Sequence, residues 1–208
     1  MVYPNVVVSL FIIFRRAVNI EDGLLRSTGM KRAHIYTPQR VNDPFIDDGA
    51  PPPLVLQLYF DELPVLEKAC AGPLQEFETG AAQAMTVRRF PLPNPGQPGC
   101  TYLVAYEGPA EDEHAWHSHY LAHHPPLMAR LPGIRELEVY TPLQWIAPLS
   151  WQRANCMQRN KVAFDSAEAL TAALRSPVRH EMRADFHSLP AFSGAVTHFA
   201  MATRVLSS

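Results

Sequence analysis

Cysteine is scarce. Cys70, Cys100 and Cys156 are the only three in 208 residues, and no two have the CxxC spacing. So small and scattered a set supports neither a disulfide frame nor a thiolate metal centre, and fits buried thiols in a reducing compartment. Charge is scarce too. Charged residues make up 18% of the chain and nearly cancel, at a net −2, and no basic stripe with interleaved aromatics occurs, so nucleic acid is not expected as a partner. No apolar run is long. The longest, "VVVSLFIIF" from Val6 to Phe14, is too short for a helix to cross a bilayer, and Arg15-Arg16 follows it instead of preceding it as in an export signal. It reads as a buried strand, and the chain as a cytoplasmic protein with no membrane partner. P-loop, dinucleotide-binding, GxSxG and HExxH motifs are all missing, which removes support for nucleotide and covalent acyl chemistry.

What the chain does contain is a sequence written twice. "GMKRAHIYTP" (Gly29 to Pro38) aligns with "GIRELEVYTP" (Gly133 to Pro142) at an offset of 104 residues. At the same offset "YFDELPVLEKACAGP" (Tyr59 to Pro73) lies over "AFDSAEALTAALRSP" (Ala163 to Pro177). Two matches at one offset point to a tandem duplication, with copies at residues 1–92 and 100–208 joined by the Pro/Gly-rich linker "LPNPGQPG". Strands are predicted at 6–14, 30–37, 54–60 and 84–90, then at 101–107, 134–141, 158–164 and 196–205. A short helical segment, "IEDGLLRS", falls in the first copy. Asp165, with Glu168 three residues on, reads as the N-cap of a helix that Pro177 interrupts and restarts through Asp185. Each copy thus reads βαββαβ. The predicted class is α+β: two ferredoxin-like units whose antiparallel sheets pack face to face into a barrel.

The copies differ in one place. Five of the nine histidines fall between residues 114 and 124, in a stretch that the first copy lacks. If a pocket works anywhere, this asymmetry places it in the second copy, with the first mainly scaffold; drift in loop length after duplication is the plainer reading. Asp112 and Glu113 suit a first helical turn. Trp116, Tyr120 and His123 or His124 then share one helix face. Pro125 and Pro126 predict that this helix ends near His123, which puts His124 at a kink. There a histidine could act as general acid or base on a carbonyl or hydroxyl compound, with Tyr120 and His117 assisting, or could simply cap backbone carbonyls. Trp116, Leu127, Trp145 and Trp151 are candidates to line an apolar pocket, although aromatics in a Pro-rich loop such as Trp145 and Trp151 more often pack onto the sheet. His119 and His123 have i, i+4 spacing, but nothing in the spacing selects a third metal ligand among His180, His187, His198 and Asp185. No metal and no haem are therefore assigned. Asp185 reads as a cap or salt-bridge partner, with a histidine partnership as the lesser reading. Tyr36 and Tyr140 occupy equivalent places and read as packing residues.

The stretch "WHSHYLAHHPPLMARLPGI", with "FDSAEALTAALRSP" and Ala184-Asp185, resembles the EthD-like group of dimeric α/β-barrel proteins. The matching pattern falls on Trp116, Tyr120, His124-Pro125-Pro126-Leu127 and Leu131-Pro132-Gly133. The likeness covers most of the second copy and the later part of the first. It implies a barrel normally assembled from two chains and here fused into one, which could pair again as a homodimer. It fits cofactor-free lyase, isomerase or oxygenase chemistry on a small hydrophobic compound. The alternative is a non-catalytic protein that binds such compounds or serves an oxygenase.

Overall fold

The computed structural model describes residues 8–77, 80–148 and 151–208. Val6 and Val7, the start of the first predicted strand, lie outside them. The first half runs β1 (Val8–Phe14), α1 (Asp22–Ser27), β2 (Arg32–Pro38), β3 (Leu54–Phe60), α2 (Leu63–Ala71) and β4 (Ala81–Arg89). The second runs β5 (Cys100–Tyr106), α3 (Glu113–Met128), β6 (Glu136–Pro142), the two-residue β7 (Gln152–Arg153), β8 (Gln158–Phe164), α4 (Ala167–Leu174), α5 (Pro177–Phe186) and β9 (Val196–Ser207).

Eight strands close into an antiparallel barrel in the order β4-β1-β3-β2-β9-β5-β8-β6, with β6 returning to β4. The halves meet at two seams: β2 on β9, from Arg32↔Ser207 to Pro38↔Met201, and β4 on β6, from Met85↔Pro142 to Arg89↔Glu138. Closure buries the strands on both faces, which is why β1 and β3 are apolar almost throughout. Outside the barrel, Leu10, Ile12, Leu56 and Leu58 pack under α1 and α2 in one core. Tyr102, Tyr106, Val139 and Phe164 pack under α3, α4 and α5 in a second. Inside it, Phe11, Tyr36, Val55, Met85, Tyr140 and Met201 form a third. The fold class is α+β. Among the described residues no helix is long and apolar enough to cross a membrane.

Two local expectations are corrected. The histidine-rich helix does not stop at His123: α3 continues through Pro125 and Pro126 to Met128, and Ala129 N–H donates to Pro125 O at 2.9 Å. The prolines remove two backbone donors, but His124, Pro125 and Met128 are all buried against the neighbouring layers, and that packing overrides the local rule. Asp165 is not the N-cap of α4 either. Ser166 is, accepting the Ala169 N–H at 3.3 Å, while Asp165 pairs with Arg135 at 2.6 Å.

Gly29 and Gly133, the residues that open the two aligned segments, have φ of 75° and 77°. Both turn the chain into a strand through the left-handed region that glycine tolerates.

Candidate functional site

On the face of α3 turned to the core, Trp116, Tyr120 and His124 succeed one another at one-turn intervals, and all three are buried. α5 packs alongside and brings Asp185 to His124, with Oδ2 2.7 Å from Nδ1. A carboxylate only accepts, so the histidine donates Nδ1–H and its basic lone pair sits on Nε2. This hydrogen bond holds the Asp185 carboxyl below its ordinary range, against the opposing effect of partial burial.

His124 lines a chamber of about 400 Å³ between the helices and the outer face of the sheet. Tyr106, Arg179, Phe186 and His198 share its wall, and Phe45 to Asp48 form a partial roof over it. Those last residues belong to the β2–β3 loop, so the first half is more than scaffold: it supplies the roof of the chamber. The loop also positions a second imidazole. Asp48 Oδ2 accepts from the His198 backbone N–H at 2.7 Å and lies 2.8 Å from its Nδ1. Burial pushes the His198 pKa down, outweighing Asp48, so the ring is held neutral with Nε2 as its basic nitrogen. Arg179 donates to Asp43 at 2.9 Å, and its buried Nε has no partner among the described residues. The sequence offers His198 only among possible metal ligands and does not mark Asp48 or Arg179, because the three come from distant segments that no local pattern joins.

The other candidates scatter. Tyr120 accepts from Asn160 Nδ2 at 2.6 Å and stacks on Trp116 with ring centroids 5.1 Å apart, so its hydroxyl is committed to the core. Burial pushes its pKa well up. Its ring backs His124 at 5.0 Å. Trp116 packs edge-on to Tyr106 and Phe192, and Leu127 packs half-buried on the same core. His117 sits beside Trp116, its buried Nε2 without a partner among the described residues. Trp145 and Trp151 join the other core, on the first half: Trp151 Nε1 donates to Phe77 O at 2.6 Å and Arg153 covers Trp145. The structure does not bring them to His124.

His119, His123 and Asp185 offer ligand atoms within 4.8 Å of one another. Each is already engaged: His119 Nε2 with Ser188 Oγ at 3.2 Å, His123 Nδ1 with the His119 carbonyl at 2.8 Å, and Asp185 with His124. Carbonyl capping thus falls to His123, not to His124.

A second polar cluster, centred on Lys161, is not announced by the sequence. Inside the barrel Lys161, fully buried, contacts Glu136 Oε2 at 2.7 Å, Tyr59 Oη at 2.8 Å, His34 Nδ1 at 3.1 Å and Glu138 Oε2 at 3.2 Å. Burial alone would raise the Glu138 pKa, but Lys161 and Arg32 outweigh it and hold the group ionised. Burial, reinforced by Lys161, pushes His34 well down. The signal was the alternation Arg32-His34-Tyr36 and Glu136-Glu138-Tyr140, which looks the same for a strand facing water and for one facing a closed interior.

No family model and no curated protein sequence matches the chain. Solved structures do. A provisionally named monooxygenase from Fusobacterium nucleatum superposes with a TM-score of 0.62 at 7% identity, covering 98% of this chain and 96% of its own. An anthrone oxidase-like protein gives 0.58 at 14%, covering 98% and 94%. A provisionally named monooxygenase from Lactobacillus acidophilus gives 0.57 at 10%, covering 98% and 97%. At such identities the likeness shows the fold alone, and the fold is the dimeric α/β barrel, here closed within one chain.

Proposed function

We propose that the chamber beside His124 is the active site of a cytoplasmic EthD-like enzyme that performs cofactor-free proton transfer on a small apolar compound bearing a carbonyl or hydroxyl group. The observation that carries this reading is the part-buried His124–Asp185 pair, with His124 on the wall of a cavity large enough for such a compound. Nε2 of His124 would take the proton, and Asp185 would stabilise the imidazolium so formed. His198, held neutral by burial, is a second acceptor on the same wall. Arg179, on the same wall, is a donor for negative charge developing on the substrate oxygen. Tyr120 and His117 support the site from the core, acting through His124 and Trp116. Cofactor-free lyase, isomerase and oxygenase reactions can each begin with such a proton transfer, and two monooxygenase-like proteins and an anthrone oxidase-like protein share the fold.

The same reading takes residues 1–92 and 100–208 as tandem copies. Support comes from Gly29 and Gly133, and from the 3.0 Å pair of Arg32 with Glu136, again 104 positions apart. It also takes the fused barrel to associate as a homodimer.

A binding protein without turnover is the second reading, favoured by the burial of Tyr120 away from the chamber. Titrating small apolar ketones, lactones and phenols against side-chain-labelled protein tests the site itself. Ring resonances of His124 and His198 are expected to move together, and a panel that moves neither overturns the assignment.

A further inference from the structure

A second chamber, of about 310 Å³, lies inside the barrel, on the face of β5 and β8 opposite to His124. Phe11, Ile13, Val55, Leu103 and Phe199 make its wall apolar, and Arg159 is its one cation among the described residues. The alternation of β8 explains why Arg159 is there. Asn160 faces α3 and holds the Tyr120 hydroxyl, so Arg159 and Lys161 must both face inward.

These two inward cations are treated very differently. Lys161 is met by the carboxylates of Glu136 and Glu138. Arg159 donates Nη2 to the Cys156 thiol at 3.0 Å, a weak acceptor, and its buried Nε has no partner among the described residues. The guanidinium lies 5.5 Å from the centre of the Phe11 ring. Glu107, also in the wall, is exposed and accepts the Ala195 N–H at 3.4 Å. Cys156 and Glu107 favour the charged guanidinium, but burial outweighs them and lowers the Arg159 pKa. A guanidinium facing an apolar hollow without a carboxylate in contact is costly unless an anion completes it.

We propose that the barrel chamber binds a small apolar monocarboxylate, with its carboxylate forked on Arg159 and its ring or short chain among Phe11, Val55, Leu103 and Phe199. Arg suits this ligand because its planar donors match a carboxylate two-to-two. The size also fits: a cavity of about 150 Å³ already accepts benzene, so this one holds a ring with a short acid arm. A single cation selects against dicarboxylates. The site is separate from the His124 chamber and goes beyond the proton-transfer reading, which it neither needs nor supports.

The test is calorimetric titration of the full chain with phenylacetate and, as the neutral isostere, phenylacetamide. Phenylacetate is expected to bind saturably at one site, and the amide at least about tenfold more weakly, since a charged hydrogen-bonding pair is lost. Arg159→Gln should weaken phenylacetate by at least about tenfold while leaving the amide unchanged. Phe199→Trp, which fills the chamber while leaving Arg159 unsubstituted, should abolish binding and decides the matter if Arg159→Gln does not fold. His124→Gln should bind phenylacetate as the wild type does. Absence of saturable binding, equal affinity for acid and amide, or loss of binding in His124→Gln would each overturn the proposal.

Discussion

Nδ1 of His124 stands 2.7 Å from Oδ2 of Asp185 and ties α3 to α5 across the chamber wall. The pair is legible as a tautomer. Long-range ¹H–¹⁵N spectra of the wild type should show His124 protonated at Nδ1. Asp185→Asn should move a substantial fraction to the Nε2–H form, because a carboxamide can donate as well as accept. A wild-type ring already protonated at Nε2 would contradict the hydrogen bond on which the acid–base role rests.

His198 gives a pH signature. Its folded-state pKa lies below the ordinary 6.5, so the unfolded chain binds more protons in mild acid. Its contribution to stability is therefore present above pH 6.5 and lost as the pH falls from there toward the folded-state pKa. Replacing His198 with Gln should flatten the decline of denaturant-measured stability between about pH 7 and 5. An unchanged slope would mean that the ring titrates as freely as in water.

Inside the barrel, Lys161→Met leaves Glu136 and Glu138 with less positive charge beside them. Removing one partner of a buried charge cluster costs about 3–5 kcal/mol, and urea unfolding should show a loss of that size. A loss below about 1 kcal/mol would show that water reaches the cluster.

Pro126 is exposed within α3, and its ring denies a donor to the Ala122 carbonyl. Pro126→Ala should raise stability by about 1–3 kcal/mol, read as a higher thermal midpoint. A lower midpoint would mean that the proline shapes a bend the fold requires.

Much of the scaffold could be read from residue order. Leu54–Phe60 and Gln158–Phe164 run where strands are predicted, and Leu54–Phe60, buried on both faces, is an almost continuous apolar run. The buried face of α3 was legible from its one-turn spacing of Trp116, Tyr120 and His124. Its end was not, because the restriction before proline is local whereas the burial of Pro125 and Met128 is tertiary. His124 was readable as a candidate. Its partner was visible only as a minor possibility, and the roof from Phe45 to Asp48 was invisible, since no local pattern tells a loop of one half that it will cover the other. Arg159 and Lys161 stayed hidden because period-two polarity does not reveal which side of a strand is closed.

The central claim is that His124 moves a proton on a small apolar carbonyl compound. Its most direct test is deuterium uptake at the carbon next to the carbonyl, followed by NMR in D₂O for a panel of apolar ketones and lactones. The wild type should accelerate exchange for at least one member, and His124→Gln should slow that exchange by about 10²-fold or more. Equal exchange in both proteins, or none across the panel, would contradict the account.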